Sequence, residues 1–233
     1  MRSKNSQVRI PHHALDKRLI IFTRYPEPGK TKTRLIPALG PEGAADLHRQ
    51  MVDSTLIWAR QLEKNSAMSL EVRYEGGDEY QIRQWLGPDI PCCSQGNGDL
   101  GARMAQAFNE AFSAGIGRVI IVGTDIPGLT GGLLKSAFEA LMENDLVLGP
   151  AKDGGYYLIG LRRAISQLFG EIRWGTGEVL AMTLKIADGL KLQTFLLEPL
   201  DDVDRPEDLA IWEQKKCLKC LVCAKVPKVQ PKK

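Results

Sequence analysis

Four β-formers in a row, Val119-Ile120-Ile121-Val122, run into Gly123-Thr124-Asp125-Ile126-Pro127-Gly128-Leu129. An uninterrupted apolar run of this length reads as a strand buried on both faces, the signature of a parallel sheet sheathed in helices. The strand breaks at Gly123, and a carboxylate follows two residues later. Open α/β sheets bind ligands outside the carboxyl ends of their strands. A carboxylate there suits a divalent ion on a phosphorylated substrate, because Mg²⁺ favours one or two carboxylates plus phosphate oxygens. The competing reading is that Asp125 only shapes the turn or caps the next helix.

Other segments repeat the pattern. Leu19–Phe22 is a first buried strand, followed by helix 41–62, a strand at 70–74, a short helix at 80–86 and a short strand at 90–93. Within helix 41–62, Asp53 is expected on or near the inward side and His48 on the exposed side. A helix follows Leu100, another spans 133–142, and the strand at 145–151 turns back through Lys152-Asp153-Gly154-Gly155 as a hairpin-like reversal. A helix around 179–186 and a strand at 192–197 complete a single α/β domain over residues 19–214. Residues 1–18 are expected to be a flexible basic N-terminal segment without an apolar run, so no signal peptide is expected. No stretch is long and apolar enough to span a bilayer. A cytoplasmic protein is therefore expected.

The net charge of +3 conceals a split. The last nineteen residues carry seven lysines and no acid, the first eighteen carry a net +4, and the body between them is left at −8. An acidic body argues against nucleic acid as a partner, so any phosphate-binding charge must be local. It is found in Gly29-Lys30-Thr31-Lys32-Thr33-Arg34, directly after the first strand: lysine supplies a point charge and arginine a fork. This is not a P-loop, because G-x-x-x-x-G-K-[ST] requires glycine where Arg24 stands. Gly96, Gly98 and Gly101 fit G-x-G-x-x-G before a helix. Asp99 would repel a pyrophosphate there, so close approach of a base or ribose, with Asp99 as helix cap, is the better reading. Asp153 and the amides of Gly154 and Gly155 are placed to hold an acceptor hydroxyl. In Asp201-Asp202-Val203-Asp204-Arg205-Pro206, Pro206 fits a first helical turn and Asp204 its cap. The clustered acids nonetheless exceed what a cap needs, and a metal would relieve their repulsion. In the tail, Cys217, Cys220 and Cys223 have the spacing of an incomplete iron–sulfur run, with Pro227 where a fourth cysteine is needed. They are read either as soft-metal ligands or as half-buried helix positions.

Taken together, Phe22–Leu35, Gly98-Asp99-Leu100-Gly101 with Arg103 and Met104, Gly123–Leu129, Gly149–Tyr157, Arg173-Trp174-Gly175-Thr176 and Asp202–Leu209 resemble an uncharacterised GT-A-type transferase family. Its members are often labelled nucleotide-diphospho-sugar transferases, and one branch is associated with arsenosugar biosynthesis beside radical-SAM proteins. More distantly the chain is similar to phospholactate guanylyltransferase and molybdenum-cofactor nucleotidyltransferases. The resemblance implies a Rossmann-like, mixed, mostly parallel sheet with helices on both faces. It also implies a nucleotide or nucleotide-sugar donor, a small-molecule acceptor and Mg²⁺ or Mn²⁺. The metal would be held by Asp125 with Asp204 or Asp202. The donor set is Gly29, Lys30, Lys32, Arg34, Gly98, Asp99, Gly101, Arg103, Gly154 and Gly155, and the catalytic set is Asp125, Asp153 and Arg34. Glycosyl transfer is the leading expectation; nucleotidyl transfer and a non-catalytic nucleotide sensor are the alternatives.

Overall fold

A computed structural model describes residues 16–215. The basic first segment up to residue 15, and Cys217, Cys220 and Cys223, lie outside the described residues.

The chain builds a seven-stranded sheet in the order β3-β2-β1-β4-β6-β5-β7. Its strands are β1 (Lys17–Arg24), β2 (Met68–Glu75), β3 (Cys92–Ser94), β4 (Arg118–Val122), β5 (Leu146–Pro150), β6 (Tyr156–Leu161) and β7 (Thr194–Leu196). Only β6 runs antiparallel, against β4 on one side and β5 on the other. The reversal expected at 152–155 is that β5–β6 hairpin, and the sheet is mixed and mostly parallel, as the family resemblance implies.

Burial on both faces follows from strict alternation along the strands. Leu19 and Ile21 of β1, with Ile120 and Val122 of β4, pack on one face; Ile20, Phe22, Val119 and Ile121 pack on the other. The first face is covered by α1 (Ile36–Asn65), α2 (Glu79–Leu86) and α4 (Gly131–Ala140), the second by α3 (Leu100–Ser113) and α5 (Val179–Gly189). Helix α1 starts five residues earlier than the sequence pattern suggests. Gly40 adopts φ +70° and kinks it just before Pro41, so the first turn is hidden from periodicity. Among the described residues no helix is long and apolar enough to cross a membrane.

Chain order explains where the site lies. From β1 the chain moves outward to β2 and β3, then returns to place β4 on the other side of β1. The loops leaving β1 and β4 therefore diverge, and a crevice opens between them at the carboxyl end of the sheet.

Gly154 shows how tightly the β5–β6 turn is built. It has φ +89°, and a Cβ there would sit 2.1 Å from the carbonyl oxygen of Gly177. Its carbonyl also accepts from Leu180 N at 3.0 Å. Gly154→Ala combines a left-handed backbone with a clash against main chain, so urea denaturation should show a loss of about 3 kcal/mol or more. A loss below about 0.5 kcal/mol would mean the turn is free to move.

Candidate active site

The loop after β1 is fixed before it carries any charge to the site. The buried Thr31 hydroxyl donates to Tyr25 O at 2.8 Å and accepts from Glu27 N at 3.1 Å, closing the Pro26–Lys30 turn on itself. Lys32 follows with φ +50°, a left-handed conformation uncommon for a side-chain-bearing residue. Its ammonium points inward, with only 5% of the side chain exposed.

That ammonium holds the site together. Lys32 Nζ lies 2.9 Å from Asp125 Oδ2 and 3.6 Å from Asp204 Oδ1, and donates to Val203 O at 2.7 Å. Asp204 also pairs with the guanidinium of Arg34. The two acids, distant in sequence, thus converge on one cation. The backbone enforces this, because Val203 N donates to Asp125 O at 2.9 Å while the Val203 side chain is fully buried among Leu35, Met51 and Trp212. At its other end the same segment bonds the β5–β6 turn, where Lys152 N donates to Leu200 O at 3.1 Å and Lys152 pairs with Asp201.

Two helix-cap readings are corrected. Asp125 caps no helix; Thr130 caps α4, accepting from Leu133 N. Asp204 is not a cap either: its carboxylate turns to Lys32 and Arg34, and Asp208 instead accepts from the amides of Asp204 and Arg205. Within the acidic run, Asp201 pairs with Lys152 and Asp204 with Lys32 and Arg34. Asp202 is the exception. Burial pushes its carboxyl up, and the charge of nearby Asp153 adds to the effect.

His48 also departs from expectation. It is buried, 4% exposed, on the inner face of α1 with Ala44, Met51, Val52 and Thr55. Its Nε2 lies 3.0 Å from Arg24 O and 3.3 Å from Thr23 Oγ1, and its Nδ1 lies 3.7 Å from Asp125 Oδ1. Helical spacing to Ala44 and Val52 carried that signal. Asp53, expected inside, is exposed, because the inward face runs through Val52 and Thr55 instead.

Asp125 is half-exposed overall, with 45% of its side chain accessible, yet its Oδ1 is buried and without a hydrogen-bond partner. Burial pushes its carboxyl up, but the Lys32 ammonium and the His48 ring outweigh this and hold it well below the usual carboxylate range.

These residues line a cavity of about 480 Å³. Lys30, Lys32 and Arg34 form one wall, with Asp125, His48 and Asp204 beside them. Leu100, an apolar residue 44% exposed, stands with Gln95 and Glu75 across the opening. Lys30 and Arg34 keep 73% and 64% of their side chains accessible, whereas Lys32 is committed to the acids.

The remaining candidates lie outside this cavity lining. Gly98 supplies a carbonyl to Arg103 Nε at 2.9 Å, and Arg103 also pairs with Glu75 at 3.2 Å. Asp99 caps α3, accepting from Ala102 N at 2.8 Å, as its position before the helix predicts. Gly101 makes room for the indole of Trp174, which would lie 2.5 Å from an added Cβ. Gly29 adopts φ +80° in the turn. Asp153 Oδ1 accepts from Gly155 N at 2.9 Å at the head of the β5–β6 turn. Thr23, Gln95, Thr124 and His48 line the cavity and were not singled out from sequence as its components. Gln95 carries a legible role in hindsight: its amide donates to Thr23 O at 2.8 Å and Arg73 O at 3.3 Å, stapling β1 to β2 at the cavity floor.

Residues 58–176 match the model of the family described as "Uncharacterized protein conserved in bacteria (DUF2064)". A crystal structure from Desulfovibrio desulfuricans G20, provisionally assigned as a nucleotide-diphospho-sugar transferase, is 36% identical with a TM-score of 0.76. The match covers 82% of this chain and 83% of that one. The inositol-1-phosphate CTP transferase from T. maritima has a TM-score of 0.57 at 14% identity, covering 88% of this chain and 97% of its own. The 4-diphosphocytidyl-2C-methyl-D-erythritol synthase from Anaerococcus prevotii DSM 20548 has the same TM-score and coverage at 11% identity. At such identities the likeness establishes the fold. No curated protein matches the sequence. The chain belongs to the DUF2064 family and has the mixed, mostly parallel α/β fold of its relative from Desulfovibrio desulfuricans G20.

Proposed function

We propose that the protein is a metal-dependent transferase that takes a nucleotide or nucleotide-sugar donor in the β1–β4 crevice and passes a glycosyl group to a small-molecule acceptor. The observation that carries this reading is the convergence of Asp125 and Asp204 on Lys32, beside two accessible cations, in a cavity at the sheet's switch point. The family relationship to a structure provisionally assigned as a nucleotide-diphospho-sugar transferase supports it.

The residues divide the work by accessibility. Lys32 locks Asp125 and Asp204 in place and cancels part of their charge. Arg34 and Lys30 remain accessible to donor phosphates, where preorganised positive charge stabilises the departing diphosphate. Leu100 offers an apolar wall for a base or ribose. Asp153, at the head of the β5–β6 turn, orients or deprotonates the acceptor hydroxyl, and Asp202 is a further carboxylate on that side.

The donor set fits a divalent cation, Mg²⁺ or Mn²⁺, because Asp125 Oδ1 is a buried acceptor without a partner. Asp125 would hold such an ion, which would supply Lewis-acid neutralisation of leaving-group charge. Among the described residues no cluster of three or more acidic, histidine or cysteine side chains is assembled. Phosphate oxygens would therefore have to complete the coordination, as is usual for Mg²⁺.

Nucleotidyl transfer is the second reading, favoured by three cations within five residues along one wall, charge that suits a triphosphate. Incubation with nucleoside triphosphates and with sugar nucleotides, in Mg²⁺ or Mn²⁺, separates the two. Nucleoside diphosphate released from a sugar nucleotide supports glycosyl transfer; pyrophosphate released from a triphosphate replaces it with nucleotidyl transfer. No turnover of any donor, with nucleotide binding intact, would leave a nucleotide sensor.

A further inference from the structure

We propose that Glu75 sets the sugar specificity and the orientation of the donor by accepting hydrogen bonds from both hydroxyls of a ribose 2′,3′-diol. The proposal rests on the nucleotide-donor reading above and adds to it the residue that recognises the sugar.

Strand register puts this carboxylate at the cavity. Glu75 is the last residue of β2 and is the register partner of Arg24, the last residue of β1. Tyr25 N donates to Glu75 O at 2.8 Å, which ties the two strand ends together where the sheet opens. Glu75 lines the cavity from the β2 flank of β1, whereas Asp125 lines it after β4, on the other flank. Two strand spacings, about 10 Å, separate β2 from β4. A nucleotide whose phosphates meet Asp125 and the cations after β1 therefore extends its sugar toward β2. Rossmann sheets use an acid beyond the phosphate-binding turn in the same way, to hold a ribose hydroxyl.

The acceptor count selects a diol. An ionised carboxylate has about four acceptor positions, two on each oxygen. Arg24 occupies one on Oε2 at 2.7 Å, and Arg103 occupies one on Oε1 at 3.2 Å. The hydrogen bond from Arg24, aided by Arg103 and only partly offset by burial, holds the carboxyl below its ordinary value, so it is ionised at neutral pH. One position is left on each oxygen, and 39% of the side chain is accessible. A cis-diol brings two adjacent O–H donors to such a pair; an ionised phosphate brings none. That difference decides which end of the donor faces β2. Arg103 is itself anchored on Gly98 O at 2.9 Å, so the acceptor pair is held in place before any ligand arrives.

The test titrates the full chain in Mn²⁺ with uridine and guanosine diphosphates and with the 2′,3′-dideoxy form of each, read by calorimetry. Wild type should bind both ribonucleotides about tenfold or more tightly than their dideoxy forms, since hydrogen bonds to a charged group are the strong ones. Glu75→Met, close in length but without an acceptor pair, should weaken the ribonucleotides by about the same factor and the dideoxy forms less than about twofold. A crystal of the wild type with uridine diphosphate reads the same contact without a variant: O2′ and O3′ should both lie within hydrogen-bond distance of the Glu75 carboxylate. Three results overturn the role of Glu75 and leave the donor reading standing: dideoxy forms that bind wild type as well as ribonucleotides do, discrimination that survives Glu75→Met, or a base edge at the carboxylate in the crystal. Failure of the wild type to bind any of the four nucleotides overturns both.

Discussion

Asp125→Asn is expected to lower kcat/KM about a thousandfold, because it removes the carboxylate that pairs most closely with Lys32 and that is proposed to hold the divalent cation. The variant should remain folded. Lys32 keeps its bonds to Val203 O and Asp204, and asparagine matches aspartate in size. The pH dependence of stability should change with it. The Asp125 carboxyl is held below its ordinary range in the folded protein, so its ionisation favours folding above the unfolded value of about 3.9. That contribution is lost as pH falls from about 4 toward the depressed folded value. The wild type should therefore lose stability more steeply than Asp125→Asn on acidification below about pH 4 in urea titrations. Parallel acid limbs would mean that Lys32 and His48 do not favour the ionised carboxylate.

Lys32→Met should be the most destabilising change in the site. The substitution leaves two neighbouring carboxylates without their shared cation and Val203 O without its donor. Removing one partner of a buried ion pair costs about 3–5 kcal/mol, but Asp125 and Asp204 are 45% and 32% exposed and can hydrate, so about 2 kcal/mol is expected. The sign of the pH effect identifies the cause. With Lys32 gone, the Asp125 carboxylate loses the charge that most opposes its burial, so the deficit against wild type should shrink as acid protonates the carboxylates. A deficit constant from neutral pH to pH 3 would point to lost packing rather than uncompensated charge. Activity should fall about a hundredfold or more, since Asp125 and Asp204 lose their fixed positions.

The difference between Lys32 and its neighbours marks where local sequence stops being informative. Lys30, Lys32 and Arg34 look equivalent as alternating cations. The left-handed backbone at Lys32 turns one of them inward, and nothing in the local sequence announces that turn. The same holds at Asp204, where Pro206 makes a helix cap plausible from four residues. The carboxylate is claimed by Arg34 from the opposite end of the chain. By contrast, strands β1, β4 and β5 were legible because burial on both faces leaves an unbroken apolar run, and the β5–β6 reversal because two glycines interrupt two such runs. His48 was recoverable from helical spacing, but a polar residue on an apolar face yields its role only when the opposing Asp125 is in view. Gly101 and Gly154 carried a real signal. In the fold both glycines pack closely, Gly101 against Trp174 and Gly154 against Gly177.

Isothermal titration of a nucleoside diphosphate into wild type and Asp125→Asn, each with Mn²⁺ and with chelator, bears most directly on the claim that Asp125 ties a cation to donor phosphates in the β1–β4 crevice. Wild type should bind at least about tenfold more tightly with Mn²⁺ than with chelator, a difference of about 1.4 kcal/mol that Asp125→Asn abolishes. Affinity that ignores both the metal and the substitution would contradict it.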